Sequence, residues 1–229
     1  GMLDPNSQVS GRGVKMMQEA GVEVKVGVLE DECRSLNKRF ICLHTKRRPY
    51  VILKWAQTAD GYIDMARDSG TPLIISTPLT KQLVHQQRAE NMAIMVGTRT
   101  VLLDNPKLLN SRWSGRHPIR ITLDRHGVLS PDSHIFSEDS PTIVYSENTD
   151  WSFILSDLAA RNIHSVLVEG GAILLQSILD LGLYDEVHVE ISKHALMCAE
   201  EPKGVSAPNY VFRTIPSIVD GNKIFVEYR

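Results

Sequence analysis

The chain has 229 residues, 42% hydrophobic and 23% charged, and 25 Lys+Arg against 27 Asp+Glu leave a formal net charge of -2. At about 150 residues per domain this is one large domain, or one with a smaller appendage, of ordinary soluble globular composition. A near-neutral balance without a long basic run excludes the electrostatic footprint of a nucleic-acid or membrane-surface binder, so small molecules or further copies of the chain are the expected partners.

In chain order, residues 22–28 alternate apolar and polar side chains through Val22, Val24, Val26 and Val28, which predicts a strand. A helix from Leu29 is expected to place Cys33, Leu36 and Phe40 on one face and to end at Arg47-Arg48-Pro49, because proline disfavours helical geometry in the residue before it. A domain boundary is placed there, dividing 1–46 from 47–229. Beyond it, residues 50–56 and 73–76 read as strands, and Thr77-Pro78 opens a helix to about Ala89 with a cap residue and a first-turn proline. Residues 93–96, 119–123 and 142–145 are short buried-type strands, and 98–103 is a short helix. Residues 151–161 are helical, with Phe153, Ile154, Leu158 and Ala159 as the apolar stripe. Residues 165–168 form a strand leading into Glu169-Gly170-Gly171 and an apolar helix over 172–181. Strands at 187–191, 210–213 and 223–228 close the chain without intervening helices. This alternation predicts an α/β fold, a mainly parallel sheet with helices on both faces and antiparallel C-terminal strands. Residues 64–70 and 197–208 are the long irregular loops and the candidates for mobility.

Cys33, Cys42 and Cys198 are odd in number and never stand as C-x-x-C, so neither a disulfide framework nor a thiolate zinc site is signalled. The eight histidines form no H-x-x-x-H motif, no metal site is expected, and no G-x-S-x-G nucleophile elbow is present. No leader-like start and no apolar run of roughly 20 residues is found, and the chain reads as cytoplasmic.

Glu169-Gly170-Gly171 followed by a helix from Ala172 is the arrangement in which unsatisfied helix N-terminal amides meet an anion; on the glycine pair alone a plain tight turn is an equal reading. Gly97-Thr98-Arg99-Thr100 repeats the arrangement, and two such junctions can serve a dinucleotide pyrophosphate. Arg99 is placed either to pair with a ribose 2'-phosphate or as a solvated surface arginine. Lys54, in the otherwise apolar run 51–56, either snorkels to the rim, which pattern alone favours, or is held against a carboxylate, for which Asp60 and Glu169 are the candidates. A lysine and a carboxylate in a cleft can handle a proton. Arg88 and Arg112 together can clamp a phosphate ester.

Four stretches in order resemble the reductase domain of the bifunctional riboflavin-biosynthesis deaminase/reductase. They are Pro49-Tyr50-Val51-Ile52-Leu53-Lys54-Trp55-Ala56-Gln57-Thr58-Ala59-Asp60-Gly61, then Arg88-Ala89, then the run from Gly97 to Leu108, then Val168-Glu169-Gly170-Gly171. Asp4-Pro5-Asn6, Gly11-Arg12-Gly13 and the stretch from Ala20 to Phe40 look like the end of that family's deaminase domain. The resemblance implies a dihydrofolate-reductase-like fold, a homodimer, and NADPH-dependent reduction of 5-amino-6-(5-phosphoribosylamino)uracil, a phosphorylated pyrimidine, to its ribitylamino form. By family position Ala56, Thr100, Asp104 and the residues Gly171, Ala172, Ile173 and Leu174 on to about Ser177 would contact the cofactor, beside Gly97, Arg99 and Gly170. Arg88, Leu108, Arg112 and Glu169 would contact substrate, the two arginines near its phosphate, and Lys54, Glu169 and Asp60 are the catalytic candidates. Pro72 and Ile74 stand where the family commonly shows a serine and a tryptophan. The zinc signature of nucleobase deaminases, H-x-E followed by P-C-x-x-C, is absent, and no deaminase activity is expected. The competing readings are a reductase of another pterin- or folate-like substrate, for which a phosphate clamp is needless, and a catalytically inactive NADPH-binding or assembly module.

Overall fold

The structure, a computed structural model, describes residues 1–6, 8–68, 71–196 and 204–229. Cys198 and parts of both expected loops, residues 69–70 and 197–203, lie outside the described residues. The chain divides into two compact units: Gly1–Tyr50 with Leu155–His164, and Val51–Ile154 with Ser165–Arg229.

The smaller unit carries α1 (Arg12–Glu19), α2 (Glu30–Leu36) and α3 (Lys38–Lys46). The single helix expected from Leu29 is broken at Asn37, whose φ is -107° and whose side-chain amide donates to the Cys33 carbonyl at 2.9 Å. The break turns Leu36 out to 86% exposure, so it shares no buried face with the half-buried Cys33 and Phe40. α2 opens on Glu30, Asp31 and Glu32, acidic residues that suit the positive end of a helix dipole. α3 stops where the proline demands it, with Arg47 left-handed at φ 56°. Residues 22–28 form no strand: among the described residues no ladder partner lies beside them, and Val22, Val26 and Val28 are exposed. Alternation is a strand signal only where a neighbour takes up the backbone groups.

After α3 come β1 (Tyr50–Gln57), β2 (Tyr62–Met65), α4 (Pro78–Glu90), β3 (Ala93–Val96), α5 (Thr98–Asp104), β4 (Ile119–Leu123), β5 (Thr142–Tyr145), α6 (Trp151–Ala160), β6 (Ser165–Gly170), α7 (Ala172–Leu181), β7 (Glu186–Ile191), β8 (Gly204–Ser206), β9 (Ser217–Val219) and β10 (Asn222–Tyr228). Eight strands form one sheet in the order β5-β4-β3-β6-β1-β7-β10-β9. The pairs β4/β5, β3/β4, β3/β6 and β1/β7 are parallel, whereas β10 runs antiparallel to β7 and β9. All four residues of β3 are at most 1% exposed although successive side chains point to opposite faces, so the sheet is covered on both sides. This is the expected α/β fold with antiparallel final strands. Ile94 and Val96 pack with Val101, Leu108 and Ile135, and α7 buries Leu174, Leu175 and Ile178. α4 begins in a reciprocal capping box, Thr80 N–H to Thr77 Oγ1 at 3.2 Å and Thr77 N–H to Thr80 Oγ1 at 2.9 Å, with proline in the first turn.

Residues 73–76 are not a strand; side chains hold them instead, Leu73 N–H donating to Asp64 Oδ1 at 3.1 Å and the Ser76 hydroxyl to Glu190 Oε2 at 2.5 Å. Residues 210–213 are not a strand either, because the Glu227 carboxylate takes the place of a ladder partner, accepting from Arg213 and Thr214 N–H at 2.5 and 2.9 Å. The edge there is β9, joined to β10 by the two-residue turn Asp220-Gly221, at φ 51° and 84°, as a tight hairpin requires. The two expected loops contribute β2 and β8, which pair antiparallel. On α6, Phe153 is 45% exposed and Leu155 is buried in its place, so the buried stripe runs Ile154, Leu155 and Leu158. No helix among the described residues is long and apolar enough to cross a membrane.

Candidate active site

At the C-terminal ends of the parallel strands lies a cleft of about 1330 Å³. Open α/β sheets bind ligands at this edge, where strand ends and helix N-termini leave backbone groups unpaired. Lys54, Trp55 and Ala56 of β1 line it, together with the β3–α5 and β6–α7 junctions. Lys81, Val84, His85 and Arg88 add one face of α4, their spacing being that of neighbours along a helix.

A row of charges crosses this cleft. β6 carries one residue more than β3, for Met95 pairs with Val168 and Val96 with Gly170. Glu169 is therefore a bulge residue, and a bulge re-aims a side chain that a regular strand would point elsewhere. Its carboxylate meets Arg88 in a bidentate pair, Nε to Oε1 at 2.8 Å and Nη2 to Oε2 at 2.6 Å, while Arg88 Nη1 donates to the Leu109 carbonyl at 2.9 Å. Burial alone would raise the Glu169 pKa, but the charge and hydrogen bonds of Arg88, then Lys54 and His85, hold it below the ordinary value. Burial pulls the Lys54 amine below its ordinary value, Arg88 adds to that, and the carboxylates of Glu169 and Glu190 oppose it. Of the two carboxylates expected beside Lys54, Glu169 acts on its charge; Asp60 is held in the turn after β1, and the second carboxylate that acts on Lys54 is Glu190. His85 is also held below its ordinary value, first by burial and then by Arg88, with Arg112 contributing.

The two glycine junctions stand against each other. A methyl built on Gly170 would lie 3.4 Å from Thr100 Oγ1, and one on Gly97 3.8 Å from the Gly170 carbonyl. α7 starts at Gly171 with no side-chain cap, and α5 starts at Gly97 likewise, so their first N–H groups have no side-chain acceptor. Asp104 pairs with Arg67, whose Nε donates to Asp64 Oδ2 at 2.9 Å. Burial works against the Arg67 charge, and the hydrogen bonds to Asp104 and Asp64 overcome it, raising its pKa. Arg99 Nη2 reaches the Arg67 carbonyl at 3.3 Å.

Of the residues named from sequence, Lys54, Ala56, Arg88, Gly97, Arg99, Thr100, Asp104, Glu169, Gly170, Gly171, Ala172, Ile173 and Leu174 line the one cleft. Asp60, Leu108 and Arg112 do not. Asp60 sits in the turn after β1, where Oδ1 accepts from the Thr58 hydroxyl at 2.5 Å and from Leu196 N–H at 2.9 Å. Leu108 is a core residue with φ 55°, and Arg112 is exposed in a turn. Pro72 and Ile74 both border the cleft, with Ser76 beside them. Arg67, Lys81, His85, Ser76 and Glu190 were not singled out from sequence; an amphipathic reading of α4 would have found Lys81 and His85, but pairings such as Ser76 with Glu190 leave no periodic trace.

The family described as the RibD C-terminal domain matches residues 49–193. The riboflavin biosynthesis protein RibD of Aquifex aeolicus is 34% identical over 212 residues, covering 83% of this chain and 59% of the relative. That of Actinobacillus pleuropneumoniae is 35% identical over 220 residues, covering 84% of this chain and 58% of the relative. The chain thus spans about three fifths of the length of these curated relatives. Among solved structures, a diaminohydroxyphosphoribosylaminopyrimidine deaminase/5-amino-6-(5-phosphoribosylamino)uracil reductase from Thermotoga maritima superposes with a TM-score of 0.82 at 34% identity, covering 99% of this chain and 69% of its own. Acinetobacter baumannii RibD gives a TM-score of 0.82 at 26% identity, covering 98% of this chain and 70% of its own. With more than half of its length matched, the chain belongs to the RibD C-terminal domain family.

Proposed function

We propose that the chain reduces 5-amino-6-(5-phosphoribosylamino)uracil to 5-amino-6-(5-phosphoribitylamino)uracil with NADPH, a step of riboflavin biosynthesis. The observation that carries this reading is the presence, in one cleft, of an uncapped helix N-terminus at Gly171 and of the Arg88, Glu169 and Lys54 row. The Thermotoga maritima relative is described as carrying the same reductase.

The donor set fits a dinucleotide. Gly171, at φ 75°, brings backbone close to where a pyrophosphate would lie, and the free N–H groups of α7 suit its charge. Thr100, Asp104 and Ala56 would line the cofactor side with Ala172, Ile173 and Leu174, and Arg99 would meet a 2'-phosphate. NADPH, when bound, supplies a hydride. The acceptor would be C1' of the ribosylamine, electrophilic once the sugar ring has opened to an imine, and its reduction would require a proton at the imine nitrogen. The Lys54 ammonium supplies that proton. Glu169, fixed by Arg88, orients the amine and accepts from the N–H groups of the pyrimidine. The basic face of Lys81, His85 and Arg88, with Arg112 acting on His85, is the end that receives the phosphate. Asp60 and Leu108 serve this scheme only through the backbone they hold.

In the same reading, residues 1–46 are the end of a deaminase-like domain, 47–229 are the reductase, and the working unit is a homodimer. The experiment is NADPH oxidation with the phosphoribosylaminouracil as substrate. Turnover is expected, and Lys54→Ala is expected to lower kcat by about 100-fold or more. NADPH binding without turnover of this substrate overturns the proposal.

A further inference from the structure

β1 and β7 are parallel neighbours in which Lys54 stands opposite His188 and Ala56 opposite Glu190. Residues two apart on a strand share a face, so Lys54, Ala56, His188 and Glu190 all project on one side of the sheet. β6 flanks β1 on its other edge and brings Glu169. Lys54 thus lies between a carboxylate from each neighbouring strand, and the two are not equivalent. Both oxygens of Glu169 accept from the Arg88 guanidinium, so its charge is shared between that cation and Lys54. Glu190 is 4% exposed and meets no arginine; its oxygens accept from the Ser76 hydroxyl at 2.5 Å and the Asn222 side-chain amide at 2.6 Å, both neutral donors. A buried carboxylate fixed only by neutral groups keeps its charge available to a cation nearby.

We infer that Glu190 is a second counter-charge of Lys54, beside Glu169, and a positioning residue for the reaction, helping to hold the amine in its cationic form at the cleft while Ser76 ties the same carboxylate to the segment that borders the cleft. The inference rests on the reading of Lys54 as proton donor. The groups that act on Lys54 are Glu169 from β6, Arg88 from α4 and Glu190 from β7, with His188 and Glu186 on the same face of β7 and His85 of α4 acting on Glu169. Of these His188 is engaged with Glu186 at 2.9 Å and Gln87 at 2.7 Å. Glu190, by contrast, is held by a hydroxyl and an amide, neither of which carries charge.

The test is the titration of the Lys54 amine itself, read by competitive acetylation across pH and peptide mass spectrometry on the full chain, in parallel with the pH profile of kcat. Glu190→Gln is expected to lower the proton affinity of Lys54 about tenfold or more and to move the alkaline limb of kcat down by the same amount. Ser76→Ala keeps the charge and is expected to leave the amine titration where it was. An unchanged titration in Glu190→Gln overturns the inference, and so does an equal shift in Ser76→Ala, which would trace the effect to the segment and not to the charge. A shifted titration with an unshifted kcat limb supports the pairing and removes Lys54 from proton transfer, so the two readings fail separately. If Glu190→Gln does not fold, Glu190→Asp, which withdraws the charge by one methylene, carries both readouts, with a smaller fall expected and no fall overturning the inference.

Discussion

Two strand-to-helix junctions meet in the cleft, and from their sequences they look alike: an apolar strand, glycine, then a helix. Their conformations differ. Gly97 has φ -79° and ψ 160°, backbone that any residue adopts, and a methyl there would find no protein atom closer than 3.8 Å. Gly171 has φ 75° and ψ 117°, a region that L side chains rarely enter, and Gly170 separates it from the charged bulge residue Glu169, whereas Gly97 directly follows the buried Val96. One glycine is demanded by the fold, whereas the protein's own atoms would allow a side chain at the other. That teaches where to look for a ligand: a glycine the backbone does not need is explained by something that must approach it.

The comparison can be broken or sharpened by substitution. The largest effect is expected at the charged junction. Arg88→Ala strands a buried Glu169 and should cost about 3 kcal/mol in denaturant unfolding at neutral pH. Because Glu169 is held below its ordinary 4.5, the pair contributes stability above that value and loses it as pH falls through the depressed one; the difference between wild type and variant should shrink on acidification. A deficit that persists in acid would mean that lost packing, not the charge, matters. Next, Gly171→Ala should destabilise by about 1–3 kcal/mol through backbone strain, read by the same unfolding curves. Gly97→Ala should change stability by less than about 0.5 kcal/mol yet weaken NADPH binding about tenfold, measured by fluorescence titration. If NADPH affinity is untouched, the contrast between the two glycines has no functional content. Smallest in stability is Arg99→Ala, within about 0.5 kcal/mol; its effect belongs in cofactor choice, where the preference for NADPH over NADH should fall about tenfold in relative kcat/KM.

Much of the architecture was legible because the signals were local. Four-residue apolar runs such as Ala93–Val96 are of buried-strand type and short for a helix, and Thr77-Pro78 announced α4. The strand readings that failed, at 22–28, 73–76 and 210–213, all had suitable periodicity and no ladder partner. What decided them was long-range: the Glu227 carboxylate in place of a strand at Arg213, and Glu190 at Ser76. β9 was within reach, since Asp220-Gly221 is a strong hairpin signal. Lys54, Glu169 and the glycine junctions stood out because charge or glycine interrupts apolar strands, whereas Arg67 sits in an irregular stretch and pairs with Asp104 far along the chain.

The bulge at Glu169 has a consequence for how such a site can change. A residue that is supernumerary to the ladder can be exchanged without altering which side chains of β6 enter the core, since Val166, Leu167 and Val168 keep their register with β3 whatever follows them. The register of the hydrophobic interior is thereby independent of the side chain at this one position, and what a replacement has to answer is the Arg88 guanidinium.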